Sequence, residues 1–179
     1  MQLELLQSIL LDVTSKLSDL RDQLAKAIDG MTAEDLARHP EGKWSSAEIL
    51  DHLNQTYRGT VKNCEHCLAT GRSGENVGRN TKRWQRRVVI WLGYIPSGRT
   101  SPAHALPRGT PIAQLIIEIF ENITRMENLI AACDAQYGRG KSIAEHPILG
   151  PLTASEWRKF HWIHGMHHAR QIIRLKNAR

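Results

Sequence analysis

Long apolar runs are missing from this sequence. The longest, residues 88–95, contains Gly93 and falls far short of the ~20 residues that a membrane-spanning helix requires. A bilayer span is therefore not expected. The opening MQLELLQSIL has no basic stretch followed by an apolar block and a small-residue cleavage site, so no secretory signal is readable. A cytoplasmic location is the expectation. Cysteine is scarce: Cys64, Cys67 and Cys133 form an odd set without disulfide-framework spacing, which agrees with a reducing compartment. Internal repeats, low-complexity segments and convincing strand runs are also absent.

What is present suits a single folded domain over residues 1–179. The chain is 41% hydrophobic, 23% charged and 6% aromatic, a composition that separates it from disordered tails and provides for a core without disulfides. The net charge of +6 fits a basic surface as well as a nucleic-acid partner, and charge alone does not choose between them.

Helical periodicity organises the chain. Leu3, Leu6, Leu10, Val13, Leu17, Leu20, Leu24 and Ala27 recur at spacings of three and four, one stripe of a long amphipathic helix that Gly30 stops. A turn of helix follows Thr32. The second long helix opens at Ser45, with Glu48 completing a capping box. It carries Leu50, Leu53, Tyr57, Val61, Cys64 and Leu68 inward, with Ile49 at the margin, and ends at Gly71. Residues 72–110 break the pattern and read as a long, partly helical crossover. Its core spacing is Trp84, Val88, Trp91 and Ile95, and Arg79, Lys82, Arg83, Arg86 and Arg87 form a basic face.

Thr110 as cap and Pro111 in the first turn open the third helix, with Ile112, Ile116, Ile119, Ile123, Met126, Ile130 and Cys133 facing inward. Gly138, Gly140, Pro147, Gly150 and Pro151 mark the next connection as loop and turn. Thr153 and Glu156 form another capping box and open the last helix. The expectation is an all-α four-helix bundle.

The last helix carries the chemistry. Its inward stripe is Trp157, His161, His164, His168, Gln171 and Leu175, and unpaired buried imidazoles cost ~1–3 kcal/mol each. His164 and His168, four apart, stand one turn above each other and can converge on one ion. His161 is less easily aimed at the same ion from a straight helix, so a third ligand is expected from another helix. His52, near the start of the second, is the candidate. Three histidines leave a coordination position for water or substrate, as in catalytic metal sites. Glu48, Asp51, His161 and Gln171 are candidates to orient a ligand or move a proton. Cys64-x-x-Cys67 lies in a helix without a second ligand pair, and Cys64 is about 18 Å along it from His52. Cys64 reads as core and Cys67 as incidental.

The segments GKWSSAEILDHL (residues 42–53) and HPILGPLTASEWRKFHWIHGMHHARQI (residues 146–172) resemble the DinB/YfiT-like superfamily of metal-binding four-helix bundles. Trp44, Ser45, His52, Leu53, His164, His167, His168 and Gln171 match its Trp-Ser helix opening, His-Leu pair and late His-x-x-His-His-x-x-Gln. The resemblance implies metal ligation by His52, His164 and His168, with His167 a neighbour. It implies zinc or nickel as the ion, a homodimer, and either thiol transfer with a low-molecular-weight thiol as co-substrate or hydrolysis of a small-molecule substrate. A non-catalytic metal-binding or stress-response protein is the alternative. The crossover is more basic and Pro-rich than the plainest members. No nucleic-acid-binding motif accompanies its arginines, which suit an anionic substrate at the site mouth as well.

Overall fold

The computed structural model describes residues 16–71, 87–91, 93 and 101–178. Over these the chain is mostly helical, with one small two-stranded sheet. Helix α1 covers residues 16–28, α2 Ala33–Ala37, α3 Ser46–Thr70, α4 Ile112–Tyr137 and α5 Ala154–Asn177. A π-helical turn at Arg87–Trp91 and a 3-10 turn at Ala103–Ala105 lie between α3 and α4. Strands β1 (Ser142–His146) and β2 (Gly150–Thr153) join α4 to α5. Among the described residues no helix is long and apolar enough to cross a membrane.

Local chemistry sets the start of each site-bearing helix. Ser45 accepts the Glu48 amide at 3.2 Å while Glu48 Oε2 accepts the Ser45 amide at 2.8 Å, and Thr153 with Glu156 repeats the arrangement at 3.3 and 2.9 Å. Each cap is worth ~1 kcal/mol and fixes the phase at which the following histidines emerge. The same motif at Thr32 and Asp35 makes the short α2 a defined element.

The core is the convergence of the apolar stripes. Leu17, Leu20, Leu24 and Ala27 of α1 are buried against Leu50, Leu53, Tyr57, Val61 and Cys64 of α3, Ile119, Ile123, Met126 and Ile130 of α4, and Trp157, Ala169 and Ile172 of α5. A fully buried Leu or Ile contributes roughly 1.5–3 kcal/mol. Leu3, Leu6, Leu10 and Val13 lie outside the described residues, as do Arg79, Lys82, Arg83, Trp84, Arg86 and Ile95 of the crossover.

Several expectations require correction. On α4 the buried phase begins at Leu115, and Ile112 and Ile116 are half-buried. Pro111, not Thr110, occupies the cap position, because Thr110 turns its amide and hydroxyl to Asp51. Cys67 is not incidental but buried, and Tyr137 Oη donates to its carbonyl at 2.7 Å. In the crossover Ile90 is buried where Val88 is only half-buried. On α5 Ile172 takes the core position beyond His168, while Gln171 and Leu175 are half-buried.

The connection before α5 is an antiparallel hairpin rather than plain loop. Ala144 pairs with Leu152, Glu145 with Pro151 and His146 with Gly150, and a bulge follows Ser142. Leu149 and Leu152 are buried beneath it, and the Trp157 indole donates to the Ala144 carbonyl at 3.3 Å. The hairpin thereby closes over the first turn of α5.

Helices α1 and α5 touch at Gly165. A Cβ added there would lie 2.3 and 2.7 Å from the two methyls of Leu20, which is itself wholly buried. Gly165→Ala is therefore expected to destabilise by about 1–3 kcal/mol through overpacking, despite the ~1 kcal/mol helix-propensity gain. Urea denaturation should show the loss in the Gly165→Ala, Leu20→Ala double variant falling short of the sum of the two single losses.

Candidate metal centre

Helices α3 and α5 run antiparallel across the site: His52 meets His164 and His168, and one to two turns further along α3, Tyr57 and Thr60 meet His161. His52, His164 and His168 are 4, 9 and 8% exposed, so the site sits inside the helical core but keeps a narrow face toward solvent. The Nε2 atom of His164 lies 3.2 Å from that of His52 and 3.1 Å from that of His168. All three offer a ring nitrogen within 4.8 Å of the others.

The opposite edges of two rings are already engaged. His52 Nδ1 is 2.7 Å from the Ala105 carbonyl, and His168 Nδ1 is 2.6 Å from Gln171 Oε1. Both oxygens are acceptors, so both rings carry their proton on Nδ1 and direct an Nε2 lone pair at His164. His164 has one ring proton in its neutral form and can satisfy only one of the two, and its own Nδ1 is buried with no hydrogen-bond partner among the described residues. A cation between the rings would engage the Nε2 lone pairs of all three at once. Nitrogens held ~2.0–2.1 Å from one ion in tetrahedral or octahedral geometry stand about 2.9–3.4 Å apart, which brackets the separations of His164 Nε2 from the other two. The three histidines thus have the chemistry and spacing to hold a metal ion.

The signature of the family DUF1569, described as a protein of unknown function, matches residues 15–174. The chain belongs to the DUF1569 family. No curated protein and no solved structure matches it.

Electrostatics in this DUF1569 chain favour the metal-ready form of the imidazoles. Burial, then the neighbouring His168 and His52, hold His164 well below the ordinary histidine value, and burial together with His52 pushes His168 down to about 3. Burial likewise lowers His52. Neutral rings with free Nε2 lone pairs are what a transition metal requires. Phe160 stacks on His164 with ring centroids 5.4 Å apart, and Trp44 tilts against His52 at 5.2 Å, so aromatic walls fix the rings.

The remaining candidates separate by role. Gln171 is an orienting group, as its contact with His168 shows. Glu48 is committed to the α3 cap, and its Oε2 lies 3.3 Å from His39 Nδ1. Asp51 is buried and accepts Gln55 Nε2, the Arg108 amide, and the amide and hydroxyl of Thr110. Burial raises its pKa, but these bonds outweigh it and hold the carboxyl below its usual range. His161 is wholly buried, pairs with Thr60 Oγ1 at 2.9 Å and is no part of the cluster. Half-buried His167 is also outside it. Sequence reasoning missed the Ala105 carbonyl, since a backbone acceptor supplied by an irregular segment leaves no residue-type signal.

His161 carries a pH prediction. Burial, then His146, depress it from an ordinary 6.5 to about 3. The unfolded chain therefore binds a proton that the folded chain refuses between those values. The stability is complete above pH 6.5 and is lost as pH falls toward 3, at up to ~1.4 kcal/mol per pH unit. Urea denaturation between pH 7.5 and 5 should show a shallower decline in His161→Leu than in the parent chain.

Proposed function

We propose that this protein is a divalent-metal-dependent enzyme with a DinB/YfiT-like four-helix arrangement, acting on a small molecule in the cytoplasm as a homodimer. His52, His164 and His168 hold the ion, zinc or nickel. The observation that carries this reading is the gathering of three buried imidazoles from two helices, with His164 Nε2 3.2 and 3.1 Å from the Nε2 atoms of His52 and His168. A three-histidine set leaves coordination open, and the ion, when bound, lowers the pKa of a low-molecular-weight thiol or of water so that the anion is available at neutral pH.

The chain's own groups supply the rest. Ala105 O and Gln171 Oε1 keep the protons of His52 and His168 on Nδ1. Phe160 and Trp44 limit water around the rings and immobilise them. Thiol conjugation and ester and amide hydrolysis should be assayed with zinc- or nickel-loaded protein and with His168→Ala. A rate at least about a hundredfold lower in the variant supports the reading, as loss of a ligand should exceed the 10- to 100-fold typical of losing an orienting partner. Equal rates discard it.

One feature favours a non-catalytic alternative. The three rings are nearly buried and join two helices, so a bound ion also ties the core together. On that reading chelation lowers the melting temperature strongly and no reaction is lost. On the catalytic reading the chelated protein stays folded and only turnover disappears.

A further inference from the structure

The segment between the 3-10 turn and α4 is a strap, and two adjacent residues of α3 grip it. His52 Nδ1 donates to the carbonyl of Ala105 at its start. Asp51 receives the strap's end: Oδ2 accepts the amides of Arg108 at 2.7 Å and Thr110 at 3.2 Å, and Oδ1 accepts the Thr110 hydroxyl at 3.1 Å and Gln55 Nε2 at 3.0 Å. Asp51 and Ala105 are both 2% exposed. Among the described residues no other side chain hydrogen-bonds to the backbone of residues 106–110.

We propose that Asp51 is the positioning residue of the metal centre, clasping the 105–110 strap so that the Ala105 carbonyl holds the His52 ring with Nε2 aimed at His164 and His168. The inference rests on the metal-binding reading above and assigns how that site is kept in shape. Each carboxylate oxygen already carries two donors, which fills its acceptor positions. Asp51 therefore has no free lone pair to take a substrate proton, and its effect reaches the site through the strap. A ligand whose ring is no longer fixed by its hydrogen-bond partner typically costs 10- to 100-fold in metal affinity.

Asp51→Asn places an NH2 group against at least two donors, so about half of the clasp becomes donor facing donor. Thr110→Val removes one bond and leaves the carboxylate, and it guards against misfolding of the first variant. Zinc affinity of the full chain should be measured by competition with a chromophoric chelator, and the His52 Nδ1–H signal followed by 15N-edited NMR in chelated protein. The expected result is a 10- to 100-fold weaker affinity in Asp51→Asn, a smaller loss in Thr110→Val, and faster solvent exchange of the His52 ring proton in both. Ile130→Val, a destabilising core change on α4, should leave affinity unchanged.

Parental affinity in Asp51→Asn, or a loss no greater than that of Ile130→Val, would overturn the proposal. If the parent chain binds no zinc or nickel, the enzyme reading falls. The clasp is then judged by NMR alone: faster exchange of the His52 proton in Asp51→Asn upholds it, and unchanged exchange ends it.

Discussion

His164→Gln is expected to lower affinity for zinc or nickel by more than about a hundredfold, the upper end of what loss of a mere orienting partner costs. His164 is the hub of the cluster, because its Nε2 lies within hydrogen-bonding distance of the other two. Without it His52 and His168 form only a two-nitrogen clamp spanning two helices. Glutamine is chosen over alanine because the ring stacks on Phe160, and a cavity there would mix packing loss with ligand loss. Competition titration should show the full affinity loss, with the denaturation midpoint of the chelated protein little changed. An affinity within tenfold of the parent would remove His164 from the ligand set.

Arg158→Met is expected to be strongly destabilising, costing about 3–5 kcal/mol. Arg158 on α5 is 5% exposed, and its Nε lies 2.8 Å from Glu127 Oε1 on α4, with Nη1 3.8 Å from Asp134 Oδ2. Methionine fills most of the volume but leaves the half-buried Glu127 carboxylate, whose Oε2 is buried, without the guanidinium that faces it. Burial already raises the Glu127 pKa against the pull of Arg158, so removing the guanidinium raises it further. Protonation then offsets part of the loss, and the deficit relative to the parent should shrink as pH falls from 8 to 5 in urea denaturation. Glu127→Gln in the same chain should recover much of the deficit, since an amide can be buried without a counter-charge. Metal affinity should be untouched, because this pair lies outside the cluster.

The two capping boxes and the inward histidines were legible because each follows from a local rule. A hydroxyl three residues before a carboxylate fixes a helix start, and spacing of four stacks side chains on one face. His52, His164 and His168 could be brought together on those grounds, even though residue 52 lies beside the main stripe of its helix. The hairpin at Ser142–Thr153 was hidden because its strands are four and five residues long and punctuated by Pro151 and Gly150, so turn signals outweighed a short alternation. The phase of α4 is not legible at its start, where Ile112, Leu115 and Ile116 are all apolar and only packing decides among them. Thr110 has the residue type of a cap, and its competitor for that role, the Asp51 carboxylate, lies 59 residues away in sequence. Contacts of that kind, like the one between His52 and Ala105, leave no periodic trace.

The site therefore depends on two classes of information. Helix phase sets which histidines face inward, and this is local. Ring orientation comes from Ala105 and Gln171, and for His52 the partner is delivered by a strap that Asp51 holds. On the proposed reading, a variant at the strap would weaken metal binding without touching a ligand.

Elemental analysis of the protein after equilibrium dialysis against zinc, beside the His52→Ala, His164→Ala, His168→Ala triple variant, is the most direct check. One ion per chain in the parent and none in a folded triple variant is the predicted result. An equal metal content in the two proteins, or none in the parent, would contradict the account.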